Sequence, residues 1–83
     1  MLSVDQIRAS IEGALPGAEV TVEDLTGTGD HFRARVITVG FAGKTMVEQH
    51  QMVYAPLRPL LATGELHALQ LETFTPEQWA KRS

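Results

Sequence analysis

Apolar residues return every three or four positions at the start of the chain. Val4, Ile7, Ile11, Ala14 and Leu15 form one stripe of an amphipathic helix. Ser3 with Gln6 makes a capping box, in which each side chain reaches the other's free backbone N–H. Leu2 and Ile7 stand where a hydrophobic staple belongs, and Pro16-Gly17 stops the run, so a helix is predicted over 3–15. The period then drops to two. Over 18–25, Val20 and Val22 oppose Glu19, Thr21 and Glu23, which is the alternation of a half-buried strand. Thr26-Gly-Thr-Gly-Asp30 reads as a hairpin loop. His31–Val39, rich in β-formers (Phe32, Val36, Ile37, Val39), is its antiparallel partner.

Gly40 and Gly43 mark a turn around Phe41, after which helical spacing resumes. Val47, His50, Val53, Tyr54, Leu57, Leu60 and Leu61 carry it to about Ala62. Pro56 lacks an N–H and clashes one turn back, so two short helices are predicted, meeting between Gln51 and Pro56. Thr63-Gly64 ends the second. Glu65–Thr73 alternates again, with His67, Leu69 and Leu71 on one face, and predicts a third strand. Thr75-Pro76-Glu77-Gln78 repeats the helix-start chemistry, with Phe74 and Trp79 as its staple. The order α-β-β-α-α-β-α predicts an α+β fold, a three-stranded sheet with helices packed on one face. It is also the element order of a type II KH-like (K-homology) fold. No repeat or linker interrupts it, so residues 1–83 are expected to form a single domain.

Composition narrows the function. With 43% hydrophobic and 20% charged residues the chain is ordinary for a globular protein. Ten acidic against seven basic residues give a net charge of −3, which argues against holding a polyanion by bulk charge. There is no cysteine, which removes disulfides, a thiol nucleophile, thiolate zinc and a self-sufficient iron–sulfur site. No apolar run approaches the roughly 18–20 residues of a membrane span. Met1–Ser10 has no secretory pattern, so a cytoplasmic chain without membrane contact is expected.

Candidate chemistry is sparse. The histidines at 31, 50 and 67 are the groups able to bind metal or move protons near neutral pH, and their spacing matches no local ligand motif. Serine occurs only at 3, 10 and 83, which leaves no Ser-His-Asp arrangement. Glu23 and Asp24 are adjacent, so a strand points them to opposite faces as solvated charges. No enzyme is expected. Gly40-Phe-Ala-Gly43 fits the GxxG of nucleic-acid clamps, but it joins a strand to a helix where the clamp joins two helices. Arg33 and Arg35 share a face of the second strand. With Lys44 and Arg58 they make a candidate patch for phosphate or an acidic partner.

The segment Phe41-Ala-Gly-Lys-Thr-Met-Val47-Glu-Gln-His50-Gln-Met-Val53 resembles the signature of the BolA family, with Phe41, Gly43, Val47, His50 and Val53 in register. His31-Phe32, Leu66-His67-Ala68-Leu69 and Thr75-Pro76-Glu77-Gln78-Trp79 extend the resemblance over essentially the whole chain. The resemblance implies the same element order. It also implies a protein partner, a monothiol (CGFS) glutaredoxin with glutathione, and a shared [2Fe–2S] cluster in iron–sulfur trafficking or iron regulation. His67 stands at the family's ligand position. A second ligand lies in the loop between the first two strands of some members; here that loop holds neither Cys nor His, and His31 is the nearest candidate. Thiolates would come from the partner side, and imidazole in place of thiolate raises a cluster's reduction potential. The alternative the resemblance implies is a DNA-binding transcriptional regulator using a helix–turn–helix-like region. Gln49 and Gln51 replace the family's basic residues there, which weakens phosphate attraction. A monomer or weak homodimer is expected.

Overall fold

The computed structural model describes residues 2–27, 29 and 31–82. Helix α1 spans Val4–Ala14 and is capped as the sequence requires. The Ser3 hydroxyl accepts from Gln6 N–H at 3.1 Å, and Ser3 N–H donates to Gln6 Oε1 at 2.7 Å. Ile7 and Ile11 are fully buried, and Leu2 joins them in the core as the staple residue. Strands β1 (Glu19–Asp24) and β2 (His31–Ile37) pair antiparallel, with Val20 opposite Val36 and Val22 opposite Ala34. These pairs face the helices, and the alternate positions Thr21 and Arg35 face away.

Strand β3 (Ala68–Phe74) pairs with β2 in parallel, placing Leu69 beside Phe32 and Leu71 beside Ala34. The sheet order is β1-β2-β3. A parallel pair cannot be closed by a tight turn. The crossover here is a 3₁₀ turn at Val39–Phe41, helix α2 (Met46–Tyr54), a second 3₁₀ turn at Ala55–Leu57 and helix α3 (Arg58–Thr63). Pro56 therefore does break the run, as predicted. Helix α4 (Pro76–Lys81) starts from the predicted Thr75–Gln78 box and tilts Trp79 against Phe74, ring centroids 5.3 Å apart. Trp79 also meets Arg35, on the sheet face turned away from the core. Among the described residues no helix is long and apolar enough to cross a membrane.

Three expectations shift. β2 ends at Ile37 rather than Val39, because the Thr38 hydroxyl accepts from Gly40 N–H and starts the 3₁₀ turn, leaving Val39 exposed. β3 begins at Ala68 rather than Glu65, because Leu66 N–H turns back to Leu60 C=O after the left-handed Gly64 ends α3. The core face of α2 also differs from the apolar spacing. Val47 is 66% exposed, whereas Gln49 is 4% exposed. Gln49, Val53 and Leu57 follow one another at four-residue spacing, and that line faces the core.

Gln49 is tolerated there because its amide is fully engaged. It donates to Phe41 C=O (3.4 Å) and Lys44 C=O (3.1 Å) and accepts from the Thr73 hydroxyl (2.7 Å), tying the crossover to β3. Truncation would strand these buried partners, so Gln49→Ala should lower unfolding free energy by about 2–3 kcal/mol in urea melts. Thr45 caps α2 with Glu48 in a further capping box. Hydrogen bonding with the Thr45 backbone, then with its side chain, holds the exposed Glu48 carboxyl below its ordinary value. This cap contributes fully above the unfolded Glu value and is lost as pH falls through the lower folded one. Glu48→Gln keeps the box but cannot titrate, so its stability measured from pH 6 to pH 3 should fall less than that of the parent protein.

Candidate functional site

His67 and His31 are each set by a buried neighbour. Leu66 is 1% exposed and sits in the core, so the chain emerges at His67, which is exposed, before β3 begins. Phe32, also 1% exposed, anchors the start of β2, and the alternation of the strand turns His31 outward, also exposed. The parallel register places His31 opposite Ala68, one residue from His67. Both imidazoles therefore belong to one end of the sheet, where the β1–β2 loop also lies. His50 is half-buried within α2 and belongs to neither strand start. Among the described residues no group of three or more His, Asp or Glu side chains could hold a metal by itself. Two imidazoles with no thiol can complete a metal centre but cannot constitute an iron–sulfur one alone.

The loop between the first two strands is held by Asp24, which is an exposed charge at the end of the edge strand β1, as expected, and also accepts hydrogen bonds from that loop. Its Oδ1 accepts from Thr26 N–H (3.2 Å) and Gly27 N–H (3.0 Å), and its Oδ2 accepts from Gly29 N–H (3.0 Å). Leu25 N–H donates to His31 C=O at 2.8 Å and closes the hairpin next to that histidine. Gly27 (φ 74°) and Gly29 (φ 78°) take left-handed backbone, which lets successive N–H groups converge on one carboxylate. Thr28 and Asp30 lie outside the described residues. The sequence did hold a clue, since an Asp ahead of Thr and Gly is a side-chain-capped turn.

The motif residues divide into core and surface. Phe41 and Val53 are fully buried, Val47 is exposed, and Gly43 takes φ 77° at the turn into α2, where it replaces no clamp between helices. Gln49 is inside the protein, so a basic residue lost at that position tells nothing about an outer charge. Arg33 and Arg35 share the sheet face turned from the core, but Arg35 is engaged by Glu72 at 3.4 Å and by the Trp79 ring of α4 at 4.6 Å. Lys44 precedes α2 and Arg58 opens α3, both exposed on the helical layer across the sheet. The four cations do not make one patch.

Comparison with known proteins gives a consistent result. The family model for BolA-like proteins matches residues 7–78. The acid stress protein IbaG of Escherichia coli (strain K12) is 37% identical over 79 residues, 93% of this chain and 88% of the relative. BolA-like protein 2 of Homo sapiens is 34% identical over 82 residues, 96% and 93% of the two chains. The structure of a bolA protein homologue from Coxiella burnetii aligns with a TM-score of 0.79 at 32% identity, covering 96% of this chain and 99% of that one.

Asp24→Ala removes an acceptor shared by three backbone donors beside the histidine pair. It should cost about 1–2 kcal/mol in urea unfolding. In hydrogen exchange, the amides of Gly27 and Gly29 should lose protection while those of α1 keep theirs.

Proposed function

Because this chain belongs to the BolA-like family, we propose that it is a non-catalytic adaptor that binds a monothiol (CGFS) glutaredoxin and shares a [2Fe–2S] cluster with it. The observation that carries this reading is the exposed His67, fixed by a core-anchored Leu66, with exposed His31 on the neighbouring strand. The residues fit such a cluster in kind and number. The chain brings at most two imidazoles here and no thiolate, so the sulfur ligands come from the glutaredoxin and a bound glutathione. His67 is the assigned ligand and His31 the candidate second one. The cluster supplies one-electron chemistry, at a potential raised by imidazole ligation.

What this chain contributes is placement. His31 opens β2 and His67 directly precedes β3, and attachment to paired strands fixes a ligand better than a free loop does. Asp24 ties the backbone of Thr26, Gly27 and Gly29 next to that site. The reading puts the protein in cytoplasmic iron–sulfur trafficking or iron regulation. The dispersed cations, the engaged Arg35 and the net charge of −3 give nucleic acid no comparable site.

The experiment mixes this chain with a monothiol glutaredoxin, glutathione and a reconstituted cluster, and follows visible absorption and circular dichroism. A new spectrum and a co-eluting complex are expected. His67→Ala should abolish the spectral change, and His31→Ala should shift it if that ring is the second ligand. No complex and no spectral change with the parent protein would contradict the reading.

A further inference from the structure

Met46, the first residue of α2, is 59% exposed. Its Sδ lies 3.5 Å from the Thr73 hydroxyl. That hydroxyl is buried in β3 and sits 2.7 Å from Gln49 Oε1, so its single proton serves two acceptors, with the amide oxygen the nearer. Gln49 in turn holds Phe41 C=O and Lys44 C=O. Three successive hydrogen bonds, from Met46 Sδ to Thr73, from Thr73 to Gln49 and from Gln49 to the carbonyls, therefore link the sulfur to the backbone of the turn that starts the crossover. Met52, by contrast, is half-buried and packed against the core cluster.

We propose that Met46 is a reversible oxidation site, through which a peroxide loosens the tie between α2 and β3. An Sδ lone pair attacks one oxygen of hydrogen peroxide, the S–O bond forms as the O–O bond breaks, and the departing oxygen takes a proton and leaves as water. The thioether gives up two electrons and becomes a sulfoxide. Two thiols reverse the step, returning the thioether with one disulfide and one water, as methionine sulfoxide reductases do. The sulfoxide oxygen is a far stronger acceptor than thioether sulfur. It competes for the Thr73 proton, and each Thr73 hydroxyl that turns toward it leaves the buried Gln49 Oε1 without that donor. The inference is independent of the iron–sulfur reading and needs no partner protein.

The test exposes the full chain to graded hydrogen peroxide, with intact mass, peptide mapping and thermal melts read together. Met46 should gain 16 Da well before Met52. The oxidised protein should melt about 4–8 °C lower, the shift that the loss of one buried hydrogen bond gives in a domain of this size. A sulfoxide reductase with a thiol should restore the melt. Met46→Leu should melt within about 2 °C of the parent and hold its melting temperature through the same peroxide treatment. Thr73→Val should still oxidise at Met46 but lose most of the oxidation-dependent drop. Should Met46→Leu fail to fold, Met52→Leu carries the test, since it should reproduce the parent's oxidation and its drop. Equal or faster oxidation of Met52, or full Met46 oxidation with an unchanged melt, would overturn the proposal.

Discussion

The parallel pairing of β2 with β3 decides what the rest of the molecule can present. A parallel partner cannot follow through a short turn, so the chain must rise across one sheet face and come back to start β3 beside the start of β2. That return sets His67 near His31, although thirty-six residues separate them in sequence. The same constraint explains the form of the crossover. Two short helices joined at Pro56 bury Val53 and Leu57 over the sheet, and Leu66 then drops into the core and reverses the chain.

Polar side chains hold the two ends of this arrangement. At the far end, Gln49 stands where a hydrophobic residue would be ordinary and uses every part of its amide to join the turn, α2 and β3. A buried amide so satisfied fixes geometry as well as energy, because slipping α2 by one residue would break all its bonds together. At the near end, Asp24 gathers the backbone N–H groups of Thr26, Gly27 and Gly29 beside the start of the His31 strand. The apolar core between them supplies the burial. The two polar fixtures determine which surface is shown.

Local signals in the sequence were readable in proportion to how local their causes are. The capping boxes at Ser3 and Thr75, the alternation of β1 and the break at Pro56 all depend on neighbours within a turn, and the structure carries them as expected. The box at Thr45 was equally local and went unread beneath the apolar run that follows it. The face of α2 was misjudged because spacing weighs residues by hydrophobicity, whereas Gln49 enters the core through partners supplied by Phe41, Lys44 and Thr73. Asp24 is an exposed charge, as its sequence position predicts, but its grip on three loop N–H groups depends on the left-handed turns at Gly27 and Gly29. The nearness of His31 to His67 lies in the β2–β3 register, which no window of the sequence contains. The resemblance to the BolA family singled out His67; the fold supplies its surroundings.

The central claim is that an imidazole of this chain enters a cluster whose sulfur ligands come from another polypeptide. Pulsed electron paramagnetic resonance on the reduced complex tests it most directly, with ¹⁵N-histidine incorporated into this chain alone. A ¹⁵N hyperfine coupling typical of a directly bound ring nitrogen, present in the parent complex and absent from the His67→Ala complex, is the predicted result. A reduced cluster showing no coupling to this chain's nitrogens, with the two proteins still bound to each other, would contradict the account.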